Sequence, residues 1–279
     1  MLSQLRQFLD KLERRQQRKR HPSVRSAQSI DDLQQLQIVF LITPGRSGTL
    51  SLVEYCSQTT SMYCEHAATP WLASVGYRFH RGRLSAEAAQ WSYYACREKY
   101  LQTAYETGRS FLDGDCKNLP LLPALANFFP NARFLHIVRK PEKFVMSAYR
   151  RGYYQRLPAE LWGHLEPESE SDINAPVTAI EKAAFFWNEA NTIAEKMKSD
   201  LSENRIRTLV SEHFFNKPEL ILDALGDLGI SCEIKTNQAP IEHLNKQVKN
   251  PVDRRERESD ISKAVEKFCP TQALYYPDL

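Results

Sequence analysis

The chain is poor in the features that would send it into a membrane or out of the cell. No apolar run approaches the roughly 20 residues that span a bilayer, and the N-terminus lacks the apolar core of a signal peptide. Both absences lead to the expectation of a cytoplasmic protein with no transmembrane segment. None of the six cysteines, at positions 56, 64, 96, 116, 232 and 269, forms a C-x-x-C pair. In a chain of 279 residues this argues against a zinc site or a disulfide framework and for free thiols in a reducing compartment. A large charge of one sign is missing too. The formal net charge is +3, so there is no overall polyanion-binding signature and no nucleic-acid partner is expected. Asp113 and Asp115 have no third ligand beside them, so they read as a polar loop and no metal is expected.

What is present is enough for one core of good size, with 42% apolar residues. Charge is uneven: residues 1–30 hold eight Lys/Arg against two Asp/Glu, which leaves the remainder net acidic. Leu2, Leu5, Phe8, Leu9 and Leu12 form an apolar stripe at helical spacing, opposite a face ending in Arg14, Arg15, Arg18, Lys19 and Arg20. Residues 1–20 therefore read as a basic helix packed on the domain, with peripheral membrane contact as the alternative. His21 to Asp32 reads as a linker, and residues 1–36 form a segment separate from a domain at 37–279.

That domain is organised around residues 38–52. Ile38-Val39-Phe40-Leu41-Ile42 reads as a strand buried on both faces of a parallel sheet. Pro44, Gly45 and Gly48 turn the chain sharply, and Leu52, Val53 and Cys56 begin a helix. Such a loop cradles anions: glycines let the backbone come close, and the helix N-terminus offers N–H groups and a favourable dipole. Arg46 adds a cation, and Ser47, Thr49 and Ser51 add hydroxyls. It is not a Walker A loop, because Thr49 follows Gly48 where a lysine is required.

Further along, Ser61 to Cys64 reads as a short strand that delivers Glu65 and His66 at its C-terminal end, where ligands sit in open α/β sheets. Residues 69–82 read as irregular. Ser85 caps a long helix that Gly108 stops, with Trp91, Tyr94, Leu101 and Tyr105 as its core stripe. A third strand covers 110–113. A buried strand ends at Arg139, and Pro141 opens a helix that carries Ser147. Residues 152–176 read as a long mobile loop with a solvated acidic run at Glu166, Glu168, Glu170 and Asp172. Val177 to Asp200 reads as a helix, and 205–210 as the last strand. Alternating strands and helices give the fold class: α/β, one domain, a P-loop-like parallel sheet with helices on both faces.

Thr43-Pro44-Gly45-Arg46-Ser47-Gly48-Thr49 after a buried strand resembles the 5′-phosphosulfate loop of sulfotransferases that use 3′-phosphoadenosine 5′-phosphosulfate (PAPS). Arg46, where many members have Lys, resembles the bacterial carbohydrate and protein-tyrosine sulfotransferases. Arg139, Pro141 and Ser147 resemble the family's 3′-phosphate anchor. The resemblance implies sulfuryl transfer to a hydroxyl or amine acceptor, without a metal. It implies Gly45, Arg46, Ser47, Gly48, Thr49, Leu50, Ser51, Arg139 and Ser147 as donor-binding residues. Arg46 would stabilise charge, and Glu65 or His66 would serve as general base. Leu50 stands where the family usually has a second hydroxyl. Golgi members carry an N-terminal membrane anchor that this sequence does not show. The acceptor, whether carbohydrate, lipid, small phenol or peptide tyrosine, is not readable. A nucleotide or small-molecule kinase and a non-catalytic nucleotide-binding scaffold are the alternatives. No Gly- and Lys-rich C-terminal segment is found; Asn245-Lys246 or Arg254, Arg255 and Arg257 are the candidate substitutes.

Overall fold

The computed structural model describes residues 29–156, 158–167, 175–236, 240–244 and 251–277, with side chains in the last stretch from Arg257 onward. The expected basic helix at 1–20, the linker up to residue 28, Glu168, Glu170, Asp172, Asn245 and Lys246 lie outside the described residues, as do the side chains of Arg254 and Arg255.

The elements run α1 (Ile30–Gln34), β1 (Ile38–Ile42), α2 (Thr49–Thr59), β2 (Tyr63–Glu65), α3 (Ala73–His80), α4 (Ala86–Thr107), β3 (Phe111–Asp113), α5 (Leu122–Phe128), β4 (Arg133–Val138), α6 (Pro141–Arg151), α7 (Ala159–Trp162), α8 (Ala179–Asp200), β5 (Ile206–Val210), α9 (Ser211–Asn216), α10 (Glu219–Asp227) and α11 (Pro251–Phe268). All five strands are parallel, in the order β2-β3-β1-β4-β5. β1 lies in the middle and is buried along its whole length, as its unbroken apolar run requires.

The strand period of two divides the core into two layers. Ile38, Phe40 and Ile42 pack on one face with Phe134 and Val138 of β4 and with α4, α6 and α8. Val39 and Leu41 pack on the other with Leu135, Ile137, α2 and α10. Helices thus cover both faces, and the loops after β1, β2, β3 and β4 all leave from one edge.

Three local expectations change. Residues 73–80 form a helix, α3, where an irregular loop was expected. The described part of 152–176 includes α7 and packs against α3: Ser74 donates to Glu160 at 2.7 Å and Tyr77 to Glu166 at 3.1 Å. The buried face of α4 carries Ala89, Tyr93, Arg97, Tyr100, Leu101 and Ala104. Trp91 is 47% exposed, so the expected stripe was set partly off the true face. The cause is Arg97, a charged residue that occupies the middle of that face.

Arg97 is wholly buried and balanced by two buried carboxylates. Its Nη2 lies 2.9 Å from Asp115 and its Nε 3.3 Å from Asp113, while Nη1 donates to the Pro70 carbonyl at 2.7 Å. Tyr93 and Asn118 also donate to Asp113, at 2.9 and 3.0 Å. Burial opposes the charge on Arg97, but Asp113, Tyr93 and Asp115 hold it protonated. Asp113 and Asp115 are therefore a structural knot rather than metal ligands, and among the described residues no cluster could hold a metal.

Candidate active site

The loop after β1 has the conformation its glycines foretell. Gly45, Arg46 and Gly48 all have positive φ, at 82°, 55° and 88°. For Arg46 this costs about 1–3 kcal/mol, a strain that functional sites tend to store. Gly48 needs its missing side chain twice over, because a Cβ there would also lie 2.7 Å from the Phe215 ring. Among the described residues, none of the six backbone N–H groups from Arg46 to Ser51 donates to a protein acceptor. The first turn of α2 has no side-chain cap. Orphan donors at a helix start hold anions through both geometry and dipole.

The loop hydroxyls also meet protein partners. Ser47 donates to the Gly45 carbonyl at 3.0 Å, and Ser211 donates to the Ser47 carbonyl at 2.6 Å. Ser51 accepts the Leu244 N–H at 3.1 Å. These bonds hold the loop's shape. Thr49 faces His66, with its Oγ1 3.3 Å from Nε2.

Arg139 and Ser147 come to the same place. The Arg46 Nε donates to Ser147 at 3.1 Å, and the Arg139 Nη1 donates to the Arg46 carbonyl at 2.5 Å. The Trp187 Nε1 fixes the Arg139 carbonyl at 2.9 Å. Burial pulls the Arg139 guanidinium below its usual range, Glu212 opposes that shift, and Arg46 adds to it. Two guanidiniums therefore share a partly buried space. Among the described residues neither forms an ion pair. Such a centre favours an anion.

Glu65 and His66 both lie at the end of β2, but they meet different partners. Glu65 accepts the Tyr63 hydroxyl at 2.9 Å. His66 reaches the loop through Thr49. Burial, with Lys117 nearby, pushes its pKa down to about 4. Its imidazole is neutral at pH 7 and able to take a proton.

Several neighbours carried no signal in the sequence. Cys116 and the Tyr153 hydroxyl border Gly45, at 3.1 and 3.5 Å from where a Cβ would stand. Tyr153 stacks on His164 with centroids 3.9 Å apart. Lys117 sits 3.9 Å from the ring centre of Trp71. Lys117 could have been suspected from its place just beyond β3, on the ligand edge of the sheet. The aromatic pair could not, since stacking depends on the fold of 152–167.

The model of the sulfotransferase family matches residues 3–231. The chain belongs to that family and is a sulfotransferase enzyme, which sets aside the kinase and scaffold alternatives. The crystal structure of the sulfotransferase from Alicyclobacillus acidocaldarius is similar in fold, with a TM-score of 0.50 and 16% identity over 86% of this chain and 96% of that one. The sulfotransferase domain of the Synechococcus PCC 7002 olefin synthase is similar over 83% of this chain and 94% of its own, with a TM-score of 0.44 and 16% identity. Among curated proteins none matches. Among the described residues no helix is long and apolar enough to cross a membrane.

Proposed function

We propose that this enzyme transfers a sulfuryl group from PAPS to a hydroxyl or amine of a small-molecule, carbohydrate or lipid acceptor. The observation that carries the donor is the row of six unpaired N–H groups from Arg46 to Ser51 beside two guanidiniums without an ion-pair partner among the described residues. The fit is chemical: backbone donors and two guanidiniums lie together, as a molecule with anions at both ends requires. The backbone of 45–51 would hold the 5′-phosphosulfate, and Arg139 with Ser147 the 3′-phosphate. The donor supplies the sulfuryl group and a phosphate leaving group.

The chain supplies placement and charge. Arg46 lies between the two anion sites and stabilises negative charge. Leu50 contributes its N–H, so the missing hydroxyl leaves the backbone cradle intact. His66 takes the acceptor proton, because it touches the loop through Thr49. Glu65 is engaged by Tyr63 and shapes the strand end. The acceptor enters beside Lys117 and Tyr153.

Calorimetric titration of 3′-phosphoadenosine 5′-phosphate without Mg²⁺ tests the donor. Micromolar binding is expected in the wild type, weakened about tenfold or more in Arg139→Ala, on the scale of losing a charge-assisted contact. Absence of binding, or binding of ATP only with Mg²⁺, would overturn the assignment.

A further inference from the structure

Glu212 is a negative charge placed where it opposes the proposed donor. It lies in the first turn of α9, directly after β5. Its neighbours are mostly cationic. The Lys140 N–H donates to its Oε1 at 3.4 Å, and Lys143 Nζ lies 3.4 Å from the same oxygen. Arg139 feels its charge without forming an ion pair.

The other oxygen, Oε2, accepts the Tyr276 hydroxyl at 3.0 Å. Tyr276 comes from far along the chain and is brought here by firm anchoring. Thr271 donates to Asn188 at 2.9 Å through its hydroxyl and at 3.2 Å through its N–H. The Tyr275 hydroxyl bonds Glu195. Both partners lie on α8, whose Trp187 also holds the Arg139 carbonyl. Lys140 Nζ lies 5.7 Å from the centre of the Tyr276 ring. The segment from Pro270 to Tyr276 is thus docked beside Arg139.

We infer that Tyr276 is a positioning residue for the 3′-phosphate end of the nucleotide: it holds Glu212 toward Lys140 and Lys143 and so leaves Arg139 to the phosphate. This rests on the donor assignment above. Without the phenol, Oε2 loses its donor and turns to the nearest strong one. A carboxylate–arginine pair is stronger than a carboxylate–phenol bond, so Glu212 and the phosphate would then compete for one guanidinium.

The test is calorimetry on the full chain with two probes, 3′-phosphoadenosine 5′-phosphate and adenosine 5′-phosphate, which lacks the 3′ group. Tyr276→Phe keeps the ring and its packing. It is expected to weaken the first probe about 1.5-fold to fivefold, the range set by a partly exposed ion pair, and to leave the second unchanged. Glu212→Gln is expected to tighten the first probe. In the Glu212→Gln background, Tyr276→Phe should have no effect, because the tyrosine acts through the carboxylate. Equal weakening in both backgrounds, or equal weakening of both probes, overturns the inference: the tyrosine would then only pack or touch the ligand itself. A wild type that binds adenosine 5′-phosphate as well as the bisphosphate also overturns it, while the cradle stands. A wild type that binds neither probe takes down the donor assignment, and this inference with it.

Discussion

The two halves of the site are built from different materials. The half proposed for the nucleotide is mostly backbone, a turn with three positive φ angles, a helix start and a strand end, to which the Arg46, Arg139 and Ser147 side chains are added. The half proposed for the acceptor is made of side chains from distant elements, α3, α7 and the turns after β2 and β3, which meet only in the folded protein. A backbone site needs particular residues at fixed spacing, since only glycine accepts the required angles without cost. A side-chain site can be built in many ways, provided something holds its pieces together. Here Arg97 holds part of it, by tying the Pro70 carbonyl to Asp113 and Asp115.

The largest expected effect lies where the halves meet. His66→Gln should lower kcat about 10²–10⁴-fold, the usual worth of a positioned base, and leave nucleotide affinity unchanged. Glu65→Gln should cost much less. The pH profile sharpens the point. With a pKa near 4, the imidazole keeps its basic form from pH 7 down to about 5, where an ordinary histidine would be mostly protonated. A kcat/KM that survives His66→Gln and collapses in Glu65→Gln would return the role to Glu65.

Next comes the knot. Arg97→Ala leaves two buried carboxylates without their cation and should destabilise the fold by about 3–5 kcal/mol, as breaking a buried pair does, read as a fall in thermal midpoint. The loss should shrink as pH drops from 7 to 5, because protonation relieves unpaired buried carboxylates. Asp115 already titrates high, at about 6, because it is buried beside Asp113. A loss that is independent of pH would mean that the cluster is held by packing rather than charge.

Within the nucleotide half, Gly48→Ala should be worse for binding than for folding. It combines a left-handed φ of 88° with a collision against Phe215. Together these cost about 2–3 kcal/mol, so nucleotide affinity should fall roughly 30- to 160-fold. Gly82 is the control: its φ is +63° and a Cβ would meet nothing within 4 Å. Gly82→Ala should cost about 1 kcal/mol of stability and nothing in binding. Equal effects at the two glycines would show that Phe215 simply moves aside.

This contrast explains what the sequence made legible. The strands, the order of elements, the cradle and the Arg139–Ser147 pair follow from patterns that lie close together in the chain. The meeting of Arg46 with Ser147 across the site follows once β4 is seen beside β1. The helix at 73–80 was missed because its aromatic and basic residues imitate a loop. The face of α4 was misplaced because a buried arginine looks exposed on any hydropathy scale. Lys117, Glu212 and Tyr276 meet partners more than 40 residues away, and no local period encodes that.

Trp71 offers the smallest structural effect and the cleanest separation of the halves. It is 57% exposed, and its ring carries Lys117 at 3.9 Å. An exposed cation–π contact is worth about 0.5–1 kcal/mol, so Trp71→Ala should barely move the thermal midpoint. Nucleotide affinity should not change either, because the cradle's contacts lie elsewhere. What should change is the acceptor KM, which we expect to rise about tenfold at constant kcat, the signature of lost uniform binding. A large apolar ring kept in water and backed by a cation is suited to meet a ligand rather than to hold a fold. If kcat falls with KM unchanged, Trp71 instead orders the turn that carries His66, and the acceptor half begins one residue layer deeper, at Tyr153 and His164.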